Sequence, residues 1–429
     1  MAQTLKFGNK VWAAKEGAVL AYNDENSNYK PLPFDFTRAS SATRFNKSGL
    51  IETMRTGVAR IDYLDSADGV LLLEPASTNL ITYSEAFDNP YWTKSGSSVV
   101  SGFTSPDGTN NAFKLVEDTS GGAHFITTPI TWAADNNTFS IYAKSNGRNW
   151  IRLNTNDSTG NNLAWFNISN GTLGSKDAGI TTSITLIADG WYRCSMTKTL
   201  TSFAGGATIL IADADGSSTY TGNGTSGIYI FGAQLEQQSY PTSYIPTSGS
   251  TVTRVAEEVC INSGNSEVFN DSEGVLFVNV NLGVNQSASR YFAISDGTNN
   301  NRIQLGRGSS AGSLSFFVRS NGSSTIGVII DEGTGEILKL AVKYKSNDYA
   351  IWSNGFEIYQ NSSVSSTPLN ISRFNFAEAD GVGSDFYGKT KEVGYYNTAL
   401  TDLELETLTS YRNWISMVNE LNLNIIYNG

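Results

Sequence analysis

The chain has 429 residues, more than one hydrophobic core usually organises, so roughly two or three domains are expected. Hydrophobic residues make up 39% and charged residues 16%, with 41 glycines, a composition typical of short strands joined by turns and unlike that of a disordered or a helical chain. The net charge of −11 argues against nucleic acid and anionic membrane surfaces as partners. The sequence has no run of about 18 apolar residues, so no membrane-spanning helix is predicted.

Residues 1–65 are distinct from the rest of the sequence. Leu5, Phe7 and Trp12 precede a polar stretch, and two prolines and several arginines follow. We interpret this segment as an N-terminal arm or docking element, ordered against other parts of an assembly or a neighbouring subunit, because it has too few apolar residues for a core of its own.

Residues 66–250 carry dense strand signals. In Thr138–Lys144, Phe139, Ile141 and Ala143 alternate with polar positions, and Trp150–Asn154 repeats the pattern after a Ser-Asn-Gly turn. Strands at this spacing predict a jelly-roll β-sandwich.

Two prolines in the stretch Tyr240–Pro246 indicate an extended connector, and a second strand series follows it. We predict a second, concanavalin-A-like β-sandwich over residues 251–400. Residues 401–429 form the C-terminal helix and tail, with a helix over Asp402–Tyr411 that Thr401 caps. The predicted fold class is all-β.

Residues suited to catalysis are scarce. One histidine, His124, and two cysteines far apart in sequence, Cys194 and Cys260, cannot supply the ligands of a zinc site or a disulfide framework. A glycosidase needs only two carboxylates, but no strand carries the clustered acids expected of a sandwich-type glucanase. We therefore predict a protein that is not an enzyme, with a polysaccharide depolymerase as the enzymatic alternative.

Outward-facing aromatic residues point to glycan binding. Alternation places Tyr142 outward, and Trp150 and Arg152 outward on the next strand, so all three would share one face if these strands pair. Trp165 is expected to be exposed as well. Aromatic faces stack on sugar rings while arginine hydrogen-bonds hydroxyls, so these four residues are the glycan-binding candidates. The alternative is that each tryptophan packs against the sandwich.

The motif Asp213-Ala214-Asp215-Gly216 resembles half of a calcium-binding loop but lacks the downstream bidentate glutamate. Asp213 and Asp215 are therefore weak calcium candidates, and a turn with solvated carboxylates is the alternative. No other cofactor is predicted.

Several short motifs lie between residues 34 and 255. They are Phe36–Thr43 (FTRASSAT), Gly49–Glu52 (GLIE), Ala59–Tyr63 (ARIDY), Leu71–Leu80 (LLLEPASTNL), Gly190–Arg193 (GWYR) and Gly232–Ser243 (GAQLEQQSYPTS). Together they resemble a module of bacteriophage tail-fibre-like and carbohydrate-binding-type virion proteins. The second half resembles a laminin-G or concanavalin-A-like lectin domain in Leu340–Tyr344, Trp352–Gly355 and Lys391–Leu408.

The resemblance implies a phage virion protein that attaches to host-surface glycan, made in the host cytoplasm without a signal peptide and exposed on the particle. A homo-oligomer, with a trimer as the guess, is implied for a fibre. The rival hypothesis is a purely structural virion component, such as a head fibre or a capsid decoration protein.

Overall fold

The computed structural model describes residues 4–8, 10–23, 30–261, 266–282, 289–308, 313–331, 337–421 and 423. These residues form antiparallel β-sheets and two short α-helices, which confirms the all-β class and the β-sandwich architecture. None of the helices in the described part of the chain is long and apolar enough to cross a membrane.

The chain divides into two compact units. Unit 1 comprises Met1–Ala39, Thr56–Pro75 and Ala256–Gly429, and unit 2 comprises Ser40–Arg55 and Ala76–Val255. Unit 2 is thus inserted into the sequence of unit 1.

The first part of the chain contributes short strands to both units. They are β1 (Leu5–Gly8), β2 (Ala13–Lys15), β3 (Ala18–Asn23), β4 (Lys30–Thr37), β5 (Ala42–Phe45), β6 (Ile51–Met54), β7 (Arg60–Asp62) and β8 (Val70–Leu73).

The strands of the middle part all belong to unit 2. They are β9 (Ser77–Asn79), β10 (Thr93–Ser95), β11 (Ser97–Phe103), β12 (Ala112–Glu117), β13 (Gly121–Gly122), β14 (His124–Trp132), β15 (Asp135–Asn146), β16 (Trp150–Asp157), β17 (Gly160–Asn167), β18 (Thr172–Lys176), β19 (Thr181–Leu186), β20 (Tyr192–Leu200), β21 (Phe203–Ala212), β22 (Tyr220–Thr221), β23 (Gly227–Glu236) and β24 (Val252–Arg254).

The last part returns to unit 1. Its elements are β25 (Glu258–Ile261), β26 (Glu273–Asn281), β27 (Arg290–Ser295), β28 (Arg302–Arg307), β29 (Ser313–Ser320), β30 (Ser323–Asp331), β31 (Ile337–Lys345), β32 (Tyr349–Ser353), β33 (Phe356–Asn361), β34 (Arg373–Asn375), β35 (Gly388–Tyr396), α1 (Asp402–Thr409) and α2 (Trp414–Glu420). Short 3₁₀ turns lie at Ala188–Gly190 and Ser266–Val268.

Unit 2 is a sandwich of two six-stranded antiparallel sheets. Sheet I has the strand order β10-β14-β21-β16-β17-β18, and sheet II has the order β11-β12-β23-β15-β20-β19. Alternate positions of both sheets meet in one buried core, to which sheet I contributes Ile151 and Leu153 and sheet II contributes Phe139 and Ile141. The strand alternation therefore places its apolar set in this core, as the sequence predicts.

Unit 1 is a second sandwich, whose strands pair in a continuous series. One layer runs β30-β29-β28-β27-β34-β25-β4-β3, and the other runs β33-β32-β31-β26-β35. Strand β1 pairs with both β3 and β35, while β8 pairs with the other end of β35. Phe292 and Phe316 of the first layer share a core with Leu276 and Ile351 of the second.

The N-terminal segment is not a separate arm, because residues 1–39 and 56–65 are part of unit 1 and residues 40–55 are part of unit 2. This differs from the division suggested by the sequence. Val19, Phe34 and Phe36 are at most 2% exposed and belong to the unit 1 core. The segment needs no core of its own because β4 pairs with β25, more than two hundred residues later in the chain. Pro31 and Pro33 lie where β4 has only β3 as a described neighbour, a position that tolerates a missing N–H group.

The predicted C-terminal helix is present as α1. The Thr401 hydroxyl accepts the backbone N–H of Glu404, and the Glu404 carboxylate accepts the N–H of Thr401 at 2.8 Å, so the pair forms a capping box. The helix ends at Thr409, and α2 follows it. Residues 424–429 of the predicted tail lie outside the described residues.

Four charged residues of unit 1 form a buried group that we call the Glu257 cluster, comprising Arg38, Arg60, Glu74 and Glu257. The Glu257 carboxylate accepts hydrogen bonds from Arg38 at 2.7 Å and from Arg60 at 2.8 and 2.5 Å. Arg60 also lies 2.8 Å from Glu74, whose backbone N–H donates to Glu257 at 3.0 Å. Burial alone lowers the pKa of Arg60, but attraction to Glu257 and Glu74 outweighs it and raises the pKa overall.

Candidate functional site

The structure separates Tyr142 from the other glycan-binding candidates. Tyr142 lies on β15 of sheet II, whereas Trp150 and Arg152 lie on β16 of sheet I, so these strands do not pair. The Tyr142 side chain points away from the core as predicted, yet it is 1% exposed, because the rings of Phe231 and Tyr244 pack on it with centroids 6.0 Å away. The prediction that Tyr142 shares an open face with Trp150 is therefore corrected.

Trp150, Arg152 and Trp165 do share one surface, the outward face of sheet I. Arg152 and Trp165 are directly opposite each other in the β16–β17 register, and the guanidinium lies 5.7 Å from the centre of the indole ring. Trp150 is half-buried in the same apolar group, which also contains Leu210 and Ala212. The structure therefore brings three of the four candidates together.

Trp165 is covered and not exposed, which corrects the prediction for this residue. It is 6% exposed, and its indole N–H donates to the backbone carbonyl of Ser217 at 2.7 Å. The loop of residues 213–218, which follows β21, lies over the ring. Alternation along β17 gives the direction of the side chain correctly but says nothing about a loop that arrives from another part of the sequence.

The two calcium candidates belong to this covering loop. Asp215 accepts hydrogen bonds from the backbone N–H of Ser175 at 2.8 Å and from its hydroxyl at 3.0 Å, so it ties the loop to β18. Asp213 accepts the hydroxyl of Ser217. No group of three or more His, Cys, Asp or Glu residues suited to a metal ion occurs within the described ranges. Calcium binding by this loop stays a prediction.

Arg152 is a cation with few neutralising contacts. Its Nη1 donates to the hydroxyl of Ser218 at 2.6 Å, and its Nε is buried without a hydrogen-bond partner among the described residues. Burial lowers the pKa of the guanidinium, and the nearby charge of Asp177 partly offsets this. An arginine starts from a pKa so far above neutrality that Arg152 is charged at neutral pH.

A row of polar side chains adjoins Arg152 on the same face, and the sequence interpretation missed it. The register places Thr127 of β14, Thr208 of β21 and Asn154 of β16 side by side across sheet I. The Thr127 and Thr208 hydroxyls are 2.8 Å apart, and Asn156, two positions beyond Asn154, accepts the N–H of Gly206 at 2.6 Å. Alternation from the buried residues of β16 would have identified Asn154 and Asn156 as outward-facing.

We define the sheet I face as Trp150, Arg152, Asn154, Asn156, Thr127 and Thr208. It combines one half-buried indole, one cation, two amides and two hydroxyls on a single sheet surface, where Asn154 and Thr208 are buried and the other four residues are partly exposed. Such a surface can stack on an apolar ring face and exchange hydrogen bonds with a polyhydroxyl molecule.

No protein-family model matches the sequence, and no curated protein sequence matches it significantly. Comparison with solved structures gives matches of low identity and low TM-score. The carbohydrate-binding module CBM40 of the Ruminococcus gnavus IT-sialidase, bound to α2,3-sialyllactose, is 14% identical, with 34% of this chain and 86% of that chain covered and a TM-score of 0.30. Domain 4 of AbnA, a GH43 extracellular arabinanase from Geobacillus stearothermophilus in complex with arabinotriose, is 15% identical, with coverages of 40% and 83% and a TM-score of 0.28.

The Trypanosoma rangeli sialidase in complex with 2,3-difluorosialic acid covers more of the chain. It is 11% identical, with 91% of this chain and 81% of that chain covered and a TM-score of 0.27. At such identities and scores, these matches give no information about the ligands of this chain.

Proposed function

We propose that the chain is a non-enzymatic bacteriophage virion protein, tail-fibre-like or adhesin-like, that binds host-surface glycan through the sheet I face. The observation that supports this most strongly is the row of hydroxyl and amide groups beside Arg152 and Trp150 on one outward sheet surface. These are the groups that sugar recognition uses, because a pyranose offers an apolar face and a ring of hydroxyls.

The proposed contact begins at Trp150, whose half-buried indole would pack on the apolar face of a sugar ring. Arg152, held by Trp165 and Ser218, would donate to sugar oxygens, and Thr127 would exchange hydrogen bonds with hydroxyls. A shallow surface of this kind binds weakly at a single site. Several copies in a homo-oligomer, which we propose to be a trimer, would raise the avidity by making later contacts intramolecular.

The virion assignment is supported by the short motifs between Phe36 and Ser243 that resemble phage fibre modules. Contact with other virion proteins is assigned to the N-terminal segment, most of which belongs to unit 1. The proposed location is the exterior of the particle. Neither nucleic acid nor a membrane is a proposed partner, in keeping with the net charge of −11.

The first experiment measures binding of the full chain, in its native oligomer, to an array of bacterial surface polysaccharides and to intact host cells before and after periodate oxidation. We expect saturable, periodate-sensitive binding that Trp150→Ala and Arg152→Ala each weaken at least tenfold. Matched controls are Trp414→Ala, an indole 66% exposed on α2, and Arg412→Ala, an exposed arginine in unit 1. Neither control should change binding.

Absence of saturable binding by the folded oligomer would overturn glycan recognition and leave the structural virion protein as the function. Release of reducing ends from any bound polysaccharide would instead indicate the depolymerase. A protein inventory of phage particles purified from the producing culture tests the virion assignment, and we expect the chain in several copies per particle.

A further inference from the structure

An open cleft of about 740 Å³ lies among the loops at one end of the unit 1 sandwich. The residues that line it come from four separate stretches of the chain. They are Phe269, Asn270, Asp271, Asp296, Asn370, Ile371, Ser372 and Asn397. Its volume falls within the range of roughly 300–1,000 Å³ that is usual for small-molecule sites.

The loops around the cleft are held in place before any ligand arrives. Asp271 accepts the backbone N–H groups of Asn370 at 2.6 Å and Ile371 at 2.8 Å, which fixes Asn370 in a left-handed conformation with φ of 56°. On the other wall, Asn270 donates from its amide to the carbonyl of Asn397 at 2.8 Å. Because these contacts order the backbone in advance, binding costs little conformational entropy here.

Three side chains on the cleft walls have hydrogen-bonding groups to spare. The amides of Asn370 and Asn397 and the hydroxyl of Ser372 make no side-chain hydrogen bond to the rest of the described protein, although Ser372 and Asn397 are only partly exposed. Each can donate and accept. These three side chains give the cleft donors and acceptors that the described protein does not use, whereas the Asp296 carboxylate already accepts hydrogen bonds from Thr298 and Asn301.

The charge of the cleft restricts what it can bind. Two of the eight lining residues are aspartates and none is lysine or arginine, so a carboxylate or phosphate would be repelled. Ile371 supplies apolar surface, and Phe269 closes the floor by packing on Tyr395 at a ring distance of 4.9 Å. A neutral polyhydroxyl molecule satisfies both the polar walls and the apolar patch.

We infer that the unit 1 cleft is a second glycan site, specific for neutral sugars and bound through Asn370, Ser372 and Asn397. The inference extends the proposed glycan binding to the second unit. It assigns that unit a recognition role of its own, separate from the sheet I face.

The test is saturation-transfer NMR on the full chain with methyl glycosides of galactose, glucose, mannose and N-acetylglucosamine, and with N-acetylneuraminic acid as the charged comparison. We expect saturation transfer to at least one neutral glycoside. Any transfer to N-acetylneuraminic acid should be unchanged by substitutions in the cleft. Asn397→Ala and Ser372→Ala should each weaken the neutral sugar about tenfold, the effect of losing a hydrogen bond of about 1.4 kcal/mol. Asn419→Ala and Ser362→Ala, exposed positions outside the cleft, are the matched controls.

The outcomes separate this site from the sheet I face. Sugar binding that Trp150→Ala abolishes while Asn397→Ala and Ser372→Ala leave it unchanged would overturn the cleft and uphold the sheet I face. The reverse pattern would uphold the cleft alone. No transfer to any neutral glycoside at millimolar concentration overturns the cleft, as does calcium binding at Asp271 and Asp296 that takes the place of sugar binding.

Discussion

Two tryptophans, Trp150 and Trp165, lie on the same surface of sheet I, and they differ in what covers them. Trp165 is 6% exposed and donates to the carbonyl of Ser217, whereas Trp150 is partly exposed beside Gly174 of β18. A buried indole contributes packing and a satisfied N–H group, and a half-buried one keeps a ring face for a ligand. The two residues should therefore respond differently to the same substitution.

We expect Trp165→Ala to lower the free energy of unfolding by about 3–5 kcal/mol, because it removes a large core side chain and frees the covering loop. Trp150→Ala should cost clearly less. Urea denaturation followed by circular dichroism measures both. Equal losses would contradict the assignment of Trp165 to packing and Trp150 to binding.

Glu85 gives unit 2 a pH dependence. Burial raises the pKa of Glu85 above its ordinary value of 4.5, and hydrogen bonds from Tyr244 at 2.9 Å and Asn111 at 3.1 Å only partly offset this. Because the pKa is higher in the folded state than in the unfolded state, protonation of Glu85 favours folding. That stabilisation is fully present below the ordinary pKa and is lost as the pH rises through the raised pKa.

We therefore expect wild type to lose stability relative to Glu85→Gln as the pH rises from acid to neutral, in chemical denaturation at a series of pH values. The exposed Glu16→Gln should follow wild type throughout. A wild type that gains stability relative to Glu85→Gln over this interval would show the opposite sign and exclude the argument.

At the scale of single residues, the sequence predicted the direction in which a side chain points better than it predicted what covers that side chain. Alternation correctly pointed Tyr142, Trp150, Arg152 and Trp165 away from the core, since the period of a strand is a local property. The covers over Tyr142 and Trp165 come from segments about 50 to 100 residues away along the chain, such as the loop around Ser217. No local pattern announces such contacts, so exposure could not be derived.

At the scale of elements, α1 shows how much a short sequence signal can determine. Its eight residues are too few to form a stable helix alone, and the box of Thr401 and Glu404 satisfies N–H groups at its first turn. Leu405 on its inner face is fully buried against β31 and β32 residues. The capping box and the buried Leu405 side chain together hold α1 on unit 1.

Thr401→Ala should destabilise unit 1 by about 1 kcal/mol through loss of the cap, while Thr401→Ser should retain most of the stability. Thr407→Ala is the matched control, since the Thr407 hydroxyl donates to the carbonyl of Leu403 within the same helix and caps nothing. Thermal unfolding of the three variants measures this. A loss for Thr407→Ala as large as for Thr401→Ala would argue against the capping contribution.

Strand β4 shows the opposite case at the same scale. Its segment was interpreted as an arm because it has too few apolar residues for a core of its own, although Leu32, Phe34 and Phe36 alternate as a strand should. The partner that makes this alternation useful is β25, which lies on the far side of unit 2 in the sequence. An insertion of this kind cannot be deduced from the strands themselves, because pairing partners are chosen by tertiary fit.

At the scale of the whole molecule, the Glu257 cluster gathers residues from each point where the chain passes between units. Arg38 and Arg60 flank the short excursion of residues 40–55, and Glu74 and Glu257 flank the long one of residues 76–255. The side chains of Arg38, Arg60 and Glu257 are fully buried. Two buried guanidinium groups thus share the Glu257 carboxylate, and Arg60 also contacts the Glu74 carboxylate.

We expect Glu257→Gln to lower the free energy of unfolding of unit 1 by about 3–5 kcal/mol, because it leaves buried positive charge uncompensated. The adjacent Glu258→Gln is the control, since Glu258 is exposed and only accepts a hydrogen bond from Thr37 at 3.3 Å. Denaturant titration of both variants decides the point. A loss below 1 kcal/mol for Glu257→Gln would mean that the cluster contributes little.

The pairing of Leu5 with Tyr395 also has a consequence for the protein during its synthesis. Every residue of unit 2 has left the ribosome once Val255 is free, whereas unit 1 lacks its β35 until almost the whole chain is made. Unit 2 can therefore fold on the nascent chain while the apolar strands β3 and β4 wait without their later partners. In that interval these strands expose an unpaired edge. Ribosome-bound chaperones would therefore bind the nascent chain mainly at its first forty residues.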